Sequence, residues 1–446
     1  MARQPQYIQR VLIIVGGSIA GLTLSHCLNA AGIDNIVLEK HAEITSQVGA
    51  SIGVLPNGAH ILDQLGVFSK IGKLIEPLTS AHIAYPDGFI LTSDYPVVVK
   101  ERFGRAMVFL SRQELIQVLH SSFEDASHVH VNQRVAKVQQ GKDRIRGNLV
   151  GGADSVHSKV RSEMWPPVDD SLPAYRLLGL TVEFSCIFGM SSAVTGLEVG
   201  EQVSCLYDGF TIMTYQGLGG RVYWLVVEKL DRKYIYPPLP RFSQQDAIDG
   251  CERHGGIWLR NTVHFRDVWA NRETFAMTPL EEGLLRPWHS RRIVCVGDSI
   301  HKPTGQEVDG LLQSLQRKHS KRATHVCTMS AITARLHTRQ GLFYSLIGRC
   351  LPAYFPTLPA ELISVVVEGG NYLPLPDRQG TGWVIISKST AVGLVLLMAM
   401  VGAVMFVTIV LSFLVSGTAA NPNQLHCFLT VLRVRGLTSG YETWSH

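Results

Sequence analysis

The sequence lacks the features that mark secreted, nucleic-acid-binding and metal-binding proteins. Its 8 cysteines among 446 residues form no Cys-x-x-Cys pair and no Cys/His spacing typical of a metal site. The net charge is only +5 and no long basic block is present, which excludes a dedicated nucleic-acid groove. Before Gly16 the amino terminus offers only the short apolar run VLIIV, too short for a signal-peptide core. We therefore predict a protein of a reducing compartment without a metal ion.

Charge is also absent from one long stretch near the carboxyl terminus. Residues 391–415 read AVGLVLLMAMVGAVMFVTIVLSFLV, with Thr408 and Ser412 as the polar side chains. This run exceeds the roughly 20 residues that cross a bilayer, although a buried core helix would also be apolar. Arg378 and Lys388 precede it closely, whereas basic residues follow it only at a distance, and this asymmetry favours a cytosolic body. The sequence predicts a single-pass anchor in the endoplasmic reticulum membrane.

Residues 11–39 carry the clearest local pattern, a strand, a glycine turn, a helix and a second strand. In the turn GGSIAG, Gly16 and Gly21 hold the outer positions of a G-x-G-x-x-G motif and Ser18 holds the middle one. Glu39 ends the second strand, where a carboxylate accepts hydrogen bonds from ribose hydroxyls. The pattern predicts a Rossmann-like nucleotide site that suits NAD or FAD; an ordinary βαβ turn with a surface glutamate is the alternative.

The middle of the chain, residues 170–280, has a different pattern. The segment QVSCLYDGFTIMTYQGLGGRVYWLVVEKL alternates apolar and polar residues around Gly-Leu-Gly-Gly, which predicts a hairpin in an antiparallel sheet. We expect this sheet to form an inserted substrate domain.

Three later stretches separate FAD from NAD: FLSRQELIQVL, GADSVHSKVR and VCVGDSIHK. In this order they resemble the class A flavoprotein monooxygenases. The phrases IVGGSIAGLTLSHCL, VLEK, GASIGVLPNGAHILDQLG, GDSIHK and NYLPLPDRQGTGW are most similar to the fungal FAD-dependent monooxygenases that epoxidise prenyl chains in indole-diterpene, meroterpenoid and diterpenoid-pyrone biosynthesis. The resemblance covers residues 8–385, with gaps, and implies FAD as cofactor and NADPH as electron donor.

The resemblance also implies roles for individual residues. It places Glu39 on the adenosine ribose, Gly53 against the cofactor, Arg112 at the diphosphate or ribityl edge of the flavin, and Asp298 on the ribityl chain. A surface salt bridge is the alternative for Arg112, and a helix cap is the alternative for Asp298.

The shared motif GADSVHSKVR contributes two further residues through the same resemblance. Asp154 would help to hold both FAD and the nicotinamide donor. Arg161 would lie near the pyrophosphate.

Tyrosines on the predicted sheet are the catalytic candidates. Tyr215 is the first choice and Tyr207 the second, because a tyrosine facing the flavin can donate a hydrogen bond near the transferred oxygen. Packing of the sheet is the alternative role for such aromatic residues. Cys186 and His301 are expected to be structural, since flavin monooxygenation needs neither a thiolate nor a metal.

We therefore expect an α/β protein with a discontinuous FAD-binding domain. Its predicted parts are a first FAD-binding part (8–165), the substrate domain (170–280), a second FAD-binding part with helices (285–385), the transmembrane helix (391–415) and a short tail (416–446). The expected reaction is epoxidation of an olefin in a prenylated intermediate, between a prenyltransferase and a terpene cyclase. Hydroxylation of a phenol is one alternative, and a degraded, inactive homologue is the other.

Two departures from the resemblance support that last alternative. After GDSIHK, the segment PTGQEVDGLLQSL keeps only Gly305 and Gln306 of the turn and helix start that the family places against the flavin ring. Before GGADS, the chain is too short for the usual pair of strands, and Ser155 stands where the family has glycine. Two such losses suggest missing or mis-spliced coding sequence.

Overall fold

The computed structural model describes residues 8–45, 51–138, 145–164, 180–235, 239–283, 288–290, 292–297, 308–354 and 357–368. The chain divides into two units, residues 1–385 and 386–446, and every described residue belongs to the first. The predicted span 391–415 and the tail lie outside the described residues. Among the helices that are described, none is long and apolar enough to cross a membrane.

The elements of the described residues are numbered in chain order. The strands are Ile8–Val15 (β1), Asn35–Leu38 (β2), Ser51–Val54 (β3), Ser80–Ala84 (β4), Ile90–Ser93 (β5), Val108–Ser111 (β6), Val129–His130 (β7), Ile145–Gly152 (β8), Thr181–Ser191 (β9), Glu201–Tyr207 (β10), Phe210–Gln216 (β11), Val222–Ile235 (β12), Trp258–Arg260 (β13), Val263–His264 (β14), Arg272–Glu282 (β15), His289–Ser290 (β16) and Ile293–Cys295 (β17). The helices are Ile19–Ala30 (α1), Pro56–Gln64 (α2), Phe68–Ile71 (α3), Tyr95–Phe103 (α4), Arg112–His120 (α5), Lys159–Met164 (α6), Gln244–Arg253 (α7), Phe265–Ala270 (α8), Val308–His337 (α9), Gly341–Tyr354 (α10) and Leu358–Glu368 (α11).

A six-stranded sheet, in the order β16-β17-β8-β1-β2-β7, carries the first glycine motif. Its pairs are parallel except β16 with β17. The run VLIIV is buried almost throughout, as expected for a parallel strand covered on both faces. Ile13 pairs with Ile36 and Val15 with Leu38, and α1 forms the crossover between the two strands. The predicted βαβ unit is confirmed.

A seven-stranded sheet, in the order β15-β9-β12-β11-β10-β4-β5, follows the predicted substrate sheet closely. The predicted hairpin around Gly217 is confirmed, because β11 and β12 pair antiparallel across it. The prediction of a purely antiparallel sheet is wrong at one pair, since β10 runs parallel to β4. Strands β4 and β5 come from residues 80–93, so the first part of the chain also contributes to this sheet.

The two faces of the seven-stranded sheet contact different parts of the molecule. On one face, here called the outer face, Trp224 packs against Phe265 and Trp269 of α8. On the opposite, inner face, Tyr215 packs against Phe109 of β6. Farther along the inner face, Phe184 and Leu280 pack near Ala334 of α9. The inner face therefore meets the two-stranded sheet of β3 and β6 at one end and α9 at the other.

The carboxyl end of α9 is fixed to the edge of this sheet by ion pairs. Arg335 donates to Glu183 of β9 at 2.7 Å and to Glu282 of β15 at 3.3 Å. Gln340 donates to the second oxygen of Glu183 at 3.1 Å. The turn that follows α9 is held as well, because the amide of Gly209 donates to the carbonyl of Thr338 at 2.8 Å.

Candidate cofactor and active site

The turn after β1 is built from glycines that admit no side chain. Gly16 has φ +111°, and a Cβ there would lie 2.4 Å from the carbonyl oxygen of Ala153. A Cβ on Gly21 would lie 1.9 Å from the carbonyl oxygen of Gly16. The turn and the first turn of α1 therefore pack backbone against backbone, the arrangement that brings a dinucleotide's pyrophosphate close to main-chain N–H groups.

The amino terminus of α1 is suited to an anion. Ser18 occupies the N-cap position, but its side chain accepts no hydrogen bond from the helix, and the first turn contains no acidic residue. Instead, Arg112 Nη2 donates to Ser18 Oγ at 2.6 Å. The guanidinium and the positive end of the helix dipole thus lie side by side, and a phosphate placed there is attracted by both.

Glu39 lies at the end of β2 and is only 8% exposed. Its Oε2 accepts the amide hydrogen of Gly17 at 2.7 Å, and its Oε1 accepts that of His41 at 2.9 Å. Each carboxylate oxygen retains a further lone pair, so hydroxyl groups of a ribose can still donate to it.

Gly17 is a site residue that the sequence analysis missed. Its Cβ would lie 2.5 Å from Cδ1 of Ile44 and 2.9 Å from Cβ of Glu39. The doubled glycine at the start of GGSIAG was the available signal. It marks the position where the backbone approaches the acidic residue of the next strand.

Asp154 follows the strand β8 and lies beside the glycine turn. The Cβ position of Gly16 is 3.1 Å from Cα of Asp154. The carboxylate of Asp154 accepts a hydrogen bond from the hydroxyl of Ser158 and another, at 3.1 Å, from the amide of Val160 in α6. Asp154 therefore stabilises the start of α6, and this places α6 next to the nucleotide turn.

Gly53 and Tyr215 both lie against one aromatic ring, that of Phe109. Gly53 pairs with Phe109 in the antiparallel β3–β6 pair, and its Cβ position would be 3.0 Å from Cζ of the Phe109 ring. The Phe109 ring stacks on Tyr215 with centroids 3.7 Å apart and planes 13° apart. Because β6 leads directly into Arg112, this stack connects the sheet to the anion-binding end of the site.

The hydroxyl of Tyr215 contacts the sulfur of Met213 at 3.6 Å. Burial raises the pKa of Tyr215 well above its ordinary value, and Cys186 adds to this shift. The phenol therefore stays protonated at neutral pH and can act as a hydrogen-bond donor, not as a base.

Tyr207 lies far from Tyr215. In the β10–β11 register Tyr215 is opposite Gln202, whereas Tyr207 is opposite Phe210 at the other end of the hairpin. The Tyr207 ring stacks on Phe210, with centroids 5.0 Å apart, at the margin of the outer-face core. The structure thus brings the two candidate tyrosines to opposite faces of the sheet.

The third motif, GDSIHK, is described only at its first residue. Gly297 has φ +64°, and a Cβ there would lie 2.9 Å from Cβ of Ala20 in α1, so this motif begins beside the first one. Asp298 and His301 lie outside the described residues. Gly16, Ser18, Gly21, Glu39, Arg112 and Asp154 are therefore assembled in one place, with Gly297 against them.

Comparison with known proteins agrees with this arrangement. Residues 9–165 match the family model described as "FAD binding domain". FAD-dependent monooxygenase atmM of Aspergillus flavus is 41% identical over 423 residues, covering 83% of this chain and 88% of the relative. FAD-dependent monooxygenase paxM of Penicillium paxilli is 38% identical over 428 residues, covering 84% of this chain and 90% of the relative.

The chain belongs to the FAD-dependent monooxygenases. Among solved structures, it is similar to Klebsiella pneumoniae HpxO complexed with FAD and uric acid, with a TM-score of 0.61, 16% identity, and coverage of 82% of this chain and 98% of that one. It is also similar to p-nitrophenol 4-monooxygenase PnpA from Pseudomonas putida, with a TM-score of 0.52, 17% identity, and coverage of 82% and 95%. These likenesses concern the fold.

The described residues fit the FAD that defines this monooxygenase family. The side-chain-free turn at Gly16, the guanidinium of Arg112 and the buried carboxylate of Glu39 provide the donors and acceptors that a pyrophosphate and a ribose require. When bound, FAD supplies electron transfer and activation of oxygen, and the residues of this chain bind and orient it.

The alignments also bear on the departures noted in the sequence. The alignment with the Aspergillus flavus monooxygenase extends over 423 positions but takes in only 83% of this chain of 446 residues. The relative therefore has residues at positions where this chain has none. Between Asn132 and Gly152, the described residues contain a single strand, β8, and the expected shortening before GGADS stays a prediction.

The residue that follows this shortened segment is under backbone strain. Ser155 has φ +75°, in the left-handed region that favours glycine. The family's glycine at this position, as the resemblance implies it, suits the conformation better. The Ser155 side chain is exposed, so the cost lies in the backbone conformation and not in packing against neighbouring residues.

Proposed function

We propose that this monooxygenase epoxidises an olefin of a prenylated, terpenoid intermediate with NADPH and O2. The observation that carries the proposal is a row of apolar side chains across the inner face of the seven-stranded sheet. Ala276, Phe188, Leu225 and Met213 are direct cross-strand neighbours on β15, β9, β12 and β11. All four are partly exposed. With strands about 4.8 Å apart, the row extends about 14 Å and suits an elongated hydrocarbon chain.

The apolar row contrasts with the opposite side of the same strands. Ile187, Trp224 and Ile212 on the outer face are at most 1% exposed, because they are covered by α7 and α8. The inner-face residues keep accessible surface between Phe109 at one end and Ala334 at the other. Large apolar surfaces that stay accessible in this way are typical of binding sites.

The polar groups near the row favour an olefin over a phenol as substrate. Hydroxylation of a phenol calls for a base that removes the phenolic proton. In the described part of the row and its neighbouring rows, the ionisable side chains are Tyr215, Tyr223 and Cys186. Burial raises the pKa of the Cys186 thiol to about 12 and also raises the pKa values of both tyrosines. None of these three groups is a base at neutral pH, so the surroundings suit a neutral hydrocarbon.

Attachment to a membrane is part of this proposal. A prenylated hydrocarbon partitions into bilayers, and the apolar run 391–415 would hold the catalytic body beside that supply. We place the body on the cytosolic side of the endoplasmic reticulum, after a prenyltransferase and before a terpene cyclase, because an epoxide is a group that a cyclase can protonate. Asp154 is the residue that we assign to contacts with both FAD and NADPH.

The first test is the visible absorption spectrum of the purified, detergent-solubilised chain with and without added FAD. We expect a flavin band that shifts on binding, followed by NADPH-dependent conversion of prenylated aromatic substrates to epoxides. Conversion of phenols to catechols without attack on the olefin would favour the aromatic hydroxylase. A colourless chain that FAD does not reconstitute would show that this sequence is a degraded homologue.

A further inference from the structure

Two adjacent apolar side chains project from the first turn of α10. Leu342 is 82% exposed and Phe343 is 55% exposed. The second half of the same helix is attached to the protein, because the hydroxyl of Tyr85 donates to the carbonyl of Gly348 at 2.7 Å and Arg349 stacks over Phe89 at 3.4 Å. The exposed pair therefore lies on a helix end that is held in place, and its exposure does not come from a loose segment.

The surroundings of this pair are polar and cationic. Leu342 borders a shallow depression of about 460 Å³ that is also lined by Lys229 and Arg339. The first turn of α10 has no acidic residue, so the positive end of its helix dipole is not neutralised there. Asp208, which forms an ion pair with Arg339 at 2.9 Å, is the acidic residue of the depression. Apolar side chains beside basic groups at one protruding point are typical of a surface that enters the headgroup region of a bilayer.

We propose that Leu342 and Phe343, with Lys229 and Arg339 beside them, form a membrane-contact surface, here called the α10 tip. Leu342 and Phe343 insert at the boundary between headgroups and acyl chains, and the exposed Lys229 contacts lipid phosphates. This inference rests on the proposed membrane attachment. Two apolar side chains bind a bilayer weakly, but the anchor raises the effective concentration of the bilayer around the body, so that even a weak contact is occupied.

The contact would orient the catalytic body. The α10 tip lies beside the Asp208–Gly209 turn between β10 and β11, and β11 carries Met213 of the apolar row. A body that touches the bilayer at this end presents the same end of the substrate sheet to the membrane. An unoriented tether would leave this end facing water for most of the time.

The test uses the full chain in vesicles of phosphatidylcholine and phosphatidylserine. The photoreactive residue p-benzoylphenylalanine replaces Phe343 in one variant and Leu218 in the control. Leu218 is also exposed, at 46%, but it lies in the β11–β12 turn at the other end of β11. Flotation of the vesicles reports attachment of the chain, bound FAD reports folding, and transfer of labelled phospholipid after illumination reports contact.

We expect about tenfold more lipid adduct at position 343 than at position 218, in chains that float and retain FAD. Equal labelling of both positions, or absence of adduct at 343 in floating chains, would overturn the α10 tip and leave the proposed anchor and reaction standing. Chains that do not float would overturn the tip together with the anchor, while epoxidation would be judged separately by product analysis. A second variant combines Leu342→Glu with p-benzoylphenylalanine at position 343. It should lose most of the lipid adduct, because a charged side chain at position 342 opposes insertion into the bilayer.

Discussion

At the scale of single residues, Glu39 performs two tasks in the same position. Its carboxylate accepts hydrogen bonds from the amides of Gly17 and His41, and so fixes the glycine turn, while its remaining lone pairs are free to accept from the adenosine ribose that we predict there. Glu39→Gln keeps the size but replaces one acceptor oxygen with a donor, so that an amide hydrogen loses its partner. We expect FAD affinity to fall roughly ten- to a hundredfold in a fluorescence titration.

Glu43 provides the matched control for this substitution. It lies four residues after Glu39, in an exposed position. Glu43→Gln should leave FAD affinity unchanged. Equal losses in the two variants would mean that net charge, and not the bonds of Glu39, sets the affinity.

A substitution at Ser155 is expected to stabilise the protein. Its φ of +75° costs a serine about 1 kcal/mol relative to glycine. Ser155→Gly should therefore raise the free energy of unfolding by roughly that amount, measured by urea denaturation. Ser121→Gly is the control, because Ser121 has φ −72° and gains nothing from a glycine. If Ser155→Gly destabilised the chain as Ser121→Gly does, the strain at Ser155 would not exist.

The residue scale also shows what a sequence can predict. The positions Gly16, Gly21 and Glu39 follow from one short pattern, because strand, turn and helix are all local. Phe109 could not be predicted, because its role comes from contacts with two residues distant in sequence, Gly53 and Tyr215. The place of Arg161 near the pyrophosphate stays a prediction: its side chain is 4% exposed and donates to the carbonyl of Val156, in the α6 region beside the nucleotide turn.

At the scale of elements, the inner face of the seven-stranded sheet yields a test of Tyr215. Tyr215→Phe keeps the stack on Phe109 and removes only the hydroxyl, so FAD affinity should not change. The rate of product formation should fall about tenfold, because that is the contribution of one hydrogen bond. Since burial raises the pKa of Tyr215, its phenol stays protonated up to about pH 9, and the ratio of wild-type to variant rates should be constant from neutral pH to that point.

Tyr207→Phe is the control for this experiment, because Tyr207 lies on the outer face. It should leave the rate of product formation unchanged. If Tyr207→Phe lowered the rate and Tyr215→Phe did not, the assignment of the two faces would be wrong.

The attachment of α9 gives a pH-dependent prediction. Burial alone would raise the pKa of Glu183, but hydrogen bonds from Gln340 and Arg335 outweigh it and lower that pKa below the ordinary value. A lowered pKa contributes stability above the unfolded-state pKa, and this contribution disappears as the pH falls through the folded-state value. Arg335→Met should cost about 1–2 kcal/mol at neutral pH, and the difference from wild type should shrink below about pH 4.

Arg349→Met is the matched control for Arg335. Arg349 forms an ion pair with Asp87 at 3.2 Å, but the Asp87 side chain is 57% exposed. Exposed ion pairs contribute little, and the stack of Arg349 on Phe89 contributes about 0.5–1 kcal/mol, so this variant should lose about 1 kcal/mol in the same urea titration. A pH-independent loss in Arg335→Met would show that packing on Phe184, and not the ion pairs, holds α9.

Elements were predicted well where their pattern is local. The alternation of apolar and polar residues predicted β11 and β12, and the glycines between these strands predicted the turn. Strands β4 and β5 were not assigned to the second sheet, because β4 pairs with β10 across more than a hundred residues. The sequence of neither strand indicates which distant strand is its partner. The parallel direction of the β4–β10 pair could not be predicted for the same reason, because it depends on a contact between distant parts of the chain.

At the scale of the whole molecule, the division of the chain after Ile385 suggests a direct experiment. A chain that ends at Ile385 keeps every described residue of the cofactor site and loses the apolar run 391–415. We expect it to bind FAD with unchanged affinity and to move from the membrane fraction to the supernatant. Loss of FAD from this shortened chain would show that residues 386–446 support the fold, and its retention on membranes would contradict the predicted anchor.

The interleaving of the two sheets has a consequence for how the protein is made. The six-stranded sheet takes strands from residues 8–152 and again from 289–295, while the seven-stranded sheet takes strands from 80–93 and again from 181–282. The seven-stranded sheet is incomplete until the ribosome has passed Glu282, and the six-stranded sheet until it has passed Cys295, which takes roughly 15–60 s at usual rates of synthesis. Until β10 has been made, β4 lacks its parallel partner, and until β17 has been made, one edge of β8 stays unpaired. Unpaired strand edges of this kind make an incomplete chain prone to aggregation.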